Sequence, residues 1–141
     1  MQSGCILFDN KFKFHDGEDG KKFIILLGSH EGISLFVKTT SQSARYKLDF
    51  GCQVTHRFPN FHLVKGCCCL QKSTWVCLDE FYELAYGRIL QKHYQQELVK
   101  FGDLPPEIIK QLLECSFNSE DITQNQKTIV ELALKAVNSK L

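Results

Sequence analysis

Five consecutive apolar residues, Phe23-Ile24-Ile25-Leu26-Leu27, end at Gly28-Ser29-His30-Glu31-Gly32, and a second apolar run from Ile33 to Thr39 follows. The first run is short and rich in β-branched residues, which fits a strand buried on both faces. The glycine-bounded turn returns the chain as a hairpin. In the second run Ile33, Leu35 and Val37 fall on one face. It continues into Lys38-Thr39-Thr40-Ser41-Gln42-Ser43, where hydroxyls stand beside a cation. That chemistry, at the mouth of a small β-core, suits a phosphodiester.

The surrounding sequence extends the β pattern. Cys5-Ile6-Leu7-Phe8 is a short apolar run, and the polar connection from Asp9 to Lys22 holds the turn cluster Asp16-Gly17-Glu18-Asp19-Gly20. Tyr46, Leu48 and Phe50 alternate with Lys47 and Asp49, a half-exposed strand. Phe61-His62-Leu63-Val64 and Thr74-Trp75-Val76-Cys77-Leu78 are two more. Short strands with turn signals at roughly 8–12-residue spacing predict a small, strongly bent antiparallel barrel.

The later sequence reads as helical. Phe81 to Phe101 mixes apolar and polar residues, with Leu90, Tyr94 and Leu98 four apart. Asp103-Leu104-Pro105-Pro106-Glu107 predicts a helix start, with Asp103 as cap and prolines in the first turn. Ile108, Ile109, Leu112 and Leu113 form one stripe. Ser119 or Asp121 is expected to cap a last helix whose apolar face carries Ile122, Ile129, Val130, Ala133, Leu134 and Val137. The expectation is one domain over 1–141, mainly β with C-terminal α-helices: a β-barrel over 1–80 and a mostly helical part over 81–141.

A chain of 141 residues with 43% hydrophobic and 23% charged residues is ordinary for one soluble domain. No apolar run approaches the ~18 residues that span a bilayer. The polar faces of the helices are not basic enough for membrane binding. The N-terminus lacks the features of a secretory signal, so a cytoplasmic location is expected. Net charge is +1, but residues 1–70 carry nine Lys/Arg against six Asp/Glu. A phosphate-binding surface is therefore expected in that half.

Seven cysteines, at 5, 52, 67, 68, 69, 77 and 115, include three in a row. Adjacent cysteines do not easily meet disulfide geometry. Together with the absence of a secretion signal, this predicts reduced, largely buried thiols. Zinc on Cys67, Cys69, Cys77 and His62 is a second reading, although finger spacing is lacking. A nucleophile in the Cys67–Cys69 run with His62 or His56 is a third.

Gly4-Cys5-Ile6-Leu7-Phe8-Asp9, a Gly-rich loop and Gly20-Lys21-Lys22-Phe23 with its apolar strand resemble the start of a MazF/PemK/Kid-like toxin. Phe36-Val37-Lys38-Thr39-Thr40-Ser41-Gln42-Ser43 resembles that family's Val-Pro-x-Thr-Thr-Gln-Ser-type stretch. Ser73-Thr74-Trp75-Val76-Cys77-Leu78-Asp79-Glu80 resembles its Asp-Gln strand, and Phe101-Gly102-Asp103-Leu104 its late Gly-x-Leu. The resemblance spans roughly residues 4–115, and the order of the elements carries it more than any single motif.

The resemblance implies an SH3-like barrel, usually homodimeric. It implies a metal- and cofactor-independent endoribonuclease that cuts single-stranded RNA by attack of the 2′-OH, leaving a cyclic phosphate and a 5′-OH. It also implies a cognate antitoxin. Such chemistry needs a cation at the phosphorane, a base and an acid. The family's phosphate-binding Arg falls on Lys22, with Lys21 beside it, and its Thr on Thr39 or, one residue on, Thr40. Asp79 matches the Asp of Asp-Gln. Lys38, Ser41, Gln42 and His15 are implied as substrate contacts.

There are departures from the family pattern. Lysine offers a point charge where arginine offers a fork. Phe23 replaces the family Pro, Cys5 the Asp after the first Gly, and Cys77 an Arg used by some members. No residue is singled out as the base. Read without the family, Lys21-Lys22 is a solvated pair, Thr39-Thr40-Ser41 a strand end, and Asp79 a turn residue. His15, His30, His56 and His62 then read as exposed or structural, while Trp75, Phe58 and Phe61 are core or base-stacking aromatics.

Overall fold

The computed structural model describes residues 1–141. Eight strands and three helices follow in the order β1 (Cys5–Lys13), β2 (Asp19–His30), β3 (Ile33–Thr40), β4 (Gly51–Gln53), β5 (Asn60–Leu63), β6 (Thr74–Cys77), β7 (Tyr82–Ala85), α1 (Tyr86–Tyr94), β8 (Leu98–Asp103), α2 (Pro106–Phe117) and α3 (Gln124–Asn138). All pairings are antiparallel. The sheet runs β4-β5-β6-β3-β2-β1-β8, with β7 also on β3. Its two ends do not pair with each other, so the mainly antiparallel sheet is not closed by backbone hydrogen bonds.

β3 organises the molecule. One edge pairs with β2 from Ile33 to Lys38. Residues 33–36 also pair with β7, while Thr39 and Thr40 pair with Val76 and Trp75 of β6. At the turn before β3, Glu31 and Gly32 both take positive φ, 51° and 80°. Only the glycine does so without a steric cost.

The unbroken apolar run of β2 is explained by burial on both faces. Ile25 and Leu27 join Leu35, Val37 and the stripes of α2 and α3 in one core. Ile24 and Leu26 join Phe36, Leu7 and Ile89 of α1 in another. Burying each such side chain contributes about 1.5–3 kcal/mol. Gly28 lets α3 approach β2: a Cβ there would lie 3.0 Å from the Ala133 side chain and 3.3 Å from the Ile129 carbonyl.

Several boundaries differ from the sequence reading. Tyr46–Phe50 is not a strand. Its backbone instead serves buried rings, with Lys47 O accepting from Trp75 Nε1 at 2.9 Å and Asp49 O 3.1 Å from His62 Nδ1. Phe81–Phe101 is not one helix but β7, α1 and β8. Tyr94 is 79% exposed, so the four-apart spacing is no buried stripe, and the chain reverses at Gln96, whose φ is 60°. Asp103 ends β8 and pairs with Lys100 rather than capping α2, which starts behind Pro105. Neither Ser119 nor Asp121 caps α3. Thr123 does, in a capping box with Gln126, and Ser119 Oγ is already committed to Leu78 O and Asp121 N–H.

The cysteine reading also needs correction. Cys52 of β4 and Cys115 of α2 form a disulfide across 63 residues, and the other five cysteines are free. The fold brings together two thiols whose distance in sequence hid them. No group of three or more His, Cys, Asp or Glu side chains is placed to hold a metal, so the zinc set Cys67, Cys69, Cys77 and His62 is not assembled. No helix is long and apolar enough to cross a membrane.

Candidate nucleic-acid interface

Where β3 passes from β2 to β6, a groove of about 510 Å³ opens. Lys21, Lys22, Thr39, Thr40 and Ser41, all singled out in the sequence, line it together with Lys72. Three lysines thus face a site with no carboxylate in its lining. Phe8, Phe23 and Phe101 give it aromatic walls, with ring centroids 5.1 Å apart for Phe8–Phe23 and 4.9 Å for Phe23–Phe101. Phe101 is about half exposed, so its ring is open to the groove it lines.

The Lys22 ammonium donates to the Thr39 carbonyl at 3.1 Å. One of its three protons is used there, which fixes the nitrogen and leaves two donors. Burial lowers its pKa from 10.5; the Cys77 side works against that shift, and the nearby Lys38 charge adds to it. Thr39 is buried, and its hydroxyl donates to the Phe23 carbonyl at 2.7 Å. The single hydroxyl proton is therefore committed to the fold. Thr40 is different: its Oγ1 accepts from the Gln42 N–H at 3.2 Å, which leaves its proton free. Gln42 thus acts through its backbone, shaping the turn that presents Thr40.

A second cluster gathers in the gap between β6 and β7. Glu80 Oε2 receives a short hydrogen bond from the Tyr82 hydroxyl, pairs with Lys38 at 3.1 Å and lies 3.8 Å from His15 Nδ1. The His15 ring lies 4.2 Å from that of Tyr82. Burial works to raise the Glu80 pKa, but the Tyr82 hydrogen bond and Lys38 outweigh it and hold it low. Burial, then Glu80, pushes Tyr82 up. His15 and Lys38 are thus brought together, through a carboxylate the sequence reading did not select. Asp79 is exposed and does not line this groove; its charge is felt at Cys77, which burial first and Asp79 second push up.

Other candidates fall away. Trp75 and Phe61 are core residues, not free faces for bases. His62 is buried and stacked on Trp75 at 4.3 Å, and His56 accepts from the Phe58 N–H. Neither histidine bonds to a thiol of the Cys67–Cys69 run. Burial and the neighbouring thiol push Cys67 up to about 11, which opposes a thiolate nucleophile.

Sequence reasoning missed Lys72, Phe8, Phe101, Glu80 and Tyr82. Lys72 sits in a stretch with no strand or helix period, and only the loop path from β5 to β6 brings it to the groove. Glu80 was legible as the neighbour of Asp79, but alternation could not say which acid turns inward. No protein-family model matches this chain, and no curated protein sequence does.

Proposed function

We propose that the chain is a metal-independent endoribonuclease of the MazF/PemK-like type, acting on single-stranded RNA. One observation carries the reading: a groove with three lysines, no carboxylate and three phenylalanine rings, at the junction the resemblance marks. Lysines complement phosphate, and the rings offer faces for unstacked bases. Lys22, held on the Thr39 carbonyl, stabilises the charge that develops when a ribose 2′-OH attacks the adjacent phosphorus. Thr40 donates its free hydroxyl to the same phosphate. His15 stands apart from this phosphate, lining a separate cavity with Phe14, Tyr82 and Arg88 and lying 3.8 Å from Glu80. The SH3-like barrel, a homodimer and a cognate antitoxin belong to the same proposal.

One observation favours a second reading, a barrel that binds RNA or a protein without cutting. Cys77 stands where, by the resemblance, some members of that family carry an Arg, and burial and Asp79 push its thiol up. The test is incubation of a long unstructured RNA with purified protein and EDTA. Discrete fragments with 5′-OH ends, lost in Lys22→Ala, support the nuclease. Intact RNA with folded wild-type protein supports the binding module.

A further inference from the structure

The segment from Ser41 to Phe58 leaves the groove and carries three Arg/Lys against one Asp. Both of its arginines rest on one ring: the Arg45 guanidinium lies 4.6 Å from the Phe58 centroid and that of Arg57 lies 5.4 Å from it. The two charges are therefore within about 10 Å of each other, since they share that ring. Two like charges this close concentrate positive potential at one spot, and an ion-pair partner would be its usual complement. Neither arginine takes part in any ion pair, and neither guanidinium makes a hydrogen bond to another side chain. Every fork donor of both residues remains available.

The ring that holds them is anchored to the groove. Phe58 lies 6.3 Å from Tyr46, which stacks at 5.7 Å on Trp75. Trp75 pairs through the backbone with Thr40, a groove residue. The Trp75 indole is tied in turn to Lys47 O, so the loop that bears Arg45 is fixed to the sheet. Two unpaired guanidiniums, held over one ring and linked to the lysine-lined groove through Tyr46 and Trp75, form a place for an anion that continues out of it.

We infer that Arg45 and Arg57, held on Phe58, form a phosphate-binding station for the single-stranded RNA backbone as it leaves the groove. The inference rests on the RNA reading above and extends it by naming where the strand runs. Arginine forks take two oxygens of a phosphate at once, which a passing backbone supplies. The station does not touch the reacting phosphate. It adds affinity and sets how many nucleotides beyond the cut are needed.

The test uses a 2′-O-methylated RNA 20-mer, which cannot be cut by 2′-OH attack, and fluorescence anisotropy across a salt series. Each phosphate contact on a single strand contributes about 0.7 to the slope of log K against log salt. Arg45→Gln/Arg57→Gln should therefore flatten the slope by about 1.4. It should weaken binding about 25-fold at 0.1 M salt relative to 1 M, with an unchanged melting temperature. Arg45→Lys/Arg57→Lys should recover most of the slope, because the charges return. If wild type binds and the Gln variant matches it in slope and affinity, the station is overturned and the RNA reading stands. A loss that the Lys variant shares in full, with a lowered melting temperature, assigns the arginines to covering Phe58 and also overturns the station. A wild type that does not bind the 20-mer overturns both readings.

Discussion

Lys22 and Thr39 are locked together: the ammonium of one donates to the carbonyl of the other at 3.1 Å, while the Thr39 hydroxyl donates to the Phe23 carbonyl at 2.7 Å. The pair bridges the point where β3 parts from β2. Thr39 therefore holds the groove, and Thr40 offers it a proton. Thr39→Val should lower stability by about 0.5–1.5 kcal/mol, the net worth of one hydrogen bond. Thr40→Val should shift the urea midpoint little, because the Gln42 N–H it releases is exposed to water, and should slow the proposed RNA cleavage by about tenfold or more, since a donor aimed at developing charge is lost. Equal stability in both variants, with only Thr39→Val slowed, would reverse the two roles.

Lys22 also sets a pH limit. Burial, with help from Lys38, lowers its pKa below the 10.5 of a free lysine. The unfolded chain holds that proton more tightly than the folded one, so burying the charge costs stability below the folded-state pKa. The cost is relieved as pH rises from there toward 10.5. The proposed cleavage, which would need the ammonium, should fall along the same interval. Lys22→Arg should abolish this alkaline limb, because arginine stays charged. Lys38→Met should move the limb to higher pH by removing a repelling neighbour. Rate–pH profiles of the three proteins decide the matter, and an alkaline limb unchanged in Lys22→Arg would assign it elsewhere.

The hairpin of β2 and β3 was legible because its signals are local: an apolar run, a glycine turn and an alternating run. The groove residues on those strands, Lys21 to Phe23 and Thr39 to Ser41, were legible for the same reason. The opposite wall was not, because Lys72 and Phe101 arrive from loop and edge-strand positions that no period marks. The segment 81–103 misled because α1 shares apolar spacing with the strands around it. Tyr94 completes a helical repeat on paper yet faces solvent. Cys52 and Cys115 escaped because pairing over 63 residues is a tertiary fact.

That disulfide ties the short edge strand β4 to α2. In the chain-entropy account, closing a loop of 63 residues stabilises by about 4 kcal/mol. Cys52→Ser/Cys115→Ala should lower the free energy of unfolding by up to that amount, and dithiothreitol should do the same to the wild type alone. Alkylation in denaturant should count five thiols before reduction and seven after. Seven thiols in both cases would show the pair reduced and return Cys52 and Cys115 to the original reading.

On the other side of the sheet, Lys92 of α1 reaches Asp9 of β1 at 2.5 Å, and both side chains are at least 95% buried. The Lys92 ammonium also donates to Lys11 O, and Asp9 Oδ1 accepts from the Lys11 N–H. The pair is thus satisfied on both sides, and it is the polar tie between α1 and β1. Removing one member leaves a buried charge without its partner. Lys92→Met should cost about 3–5 kcal/mol, far more than a surface ion pair. Asp9→Asn/Lys92→Met should regain a large part of that loss, since the stranded carboxylate is gone while the Lys11 N–H keeps an acceptor. Urea unfolding of the wild type, both single variants and the double closes a cycle. Additive losses would mean that the two side chains contribute separately, and that α1 is held by its apolar contacts through Ile89.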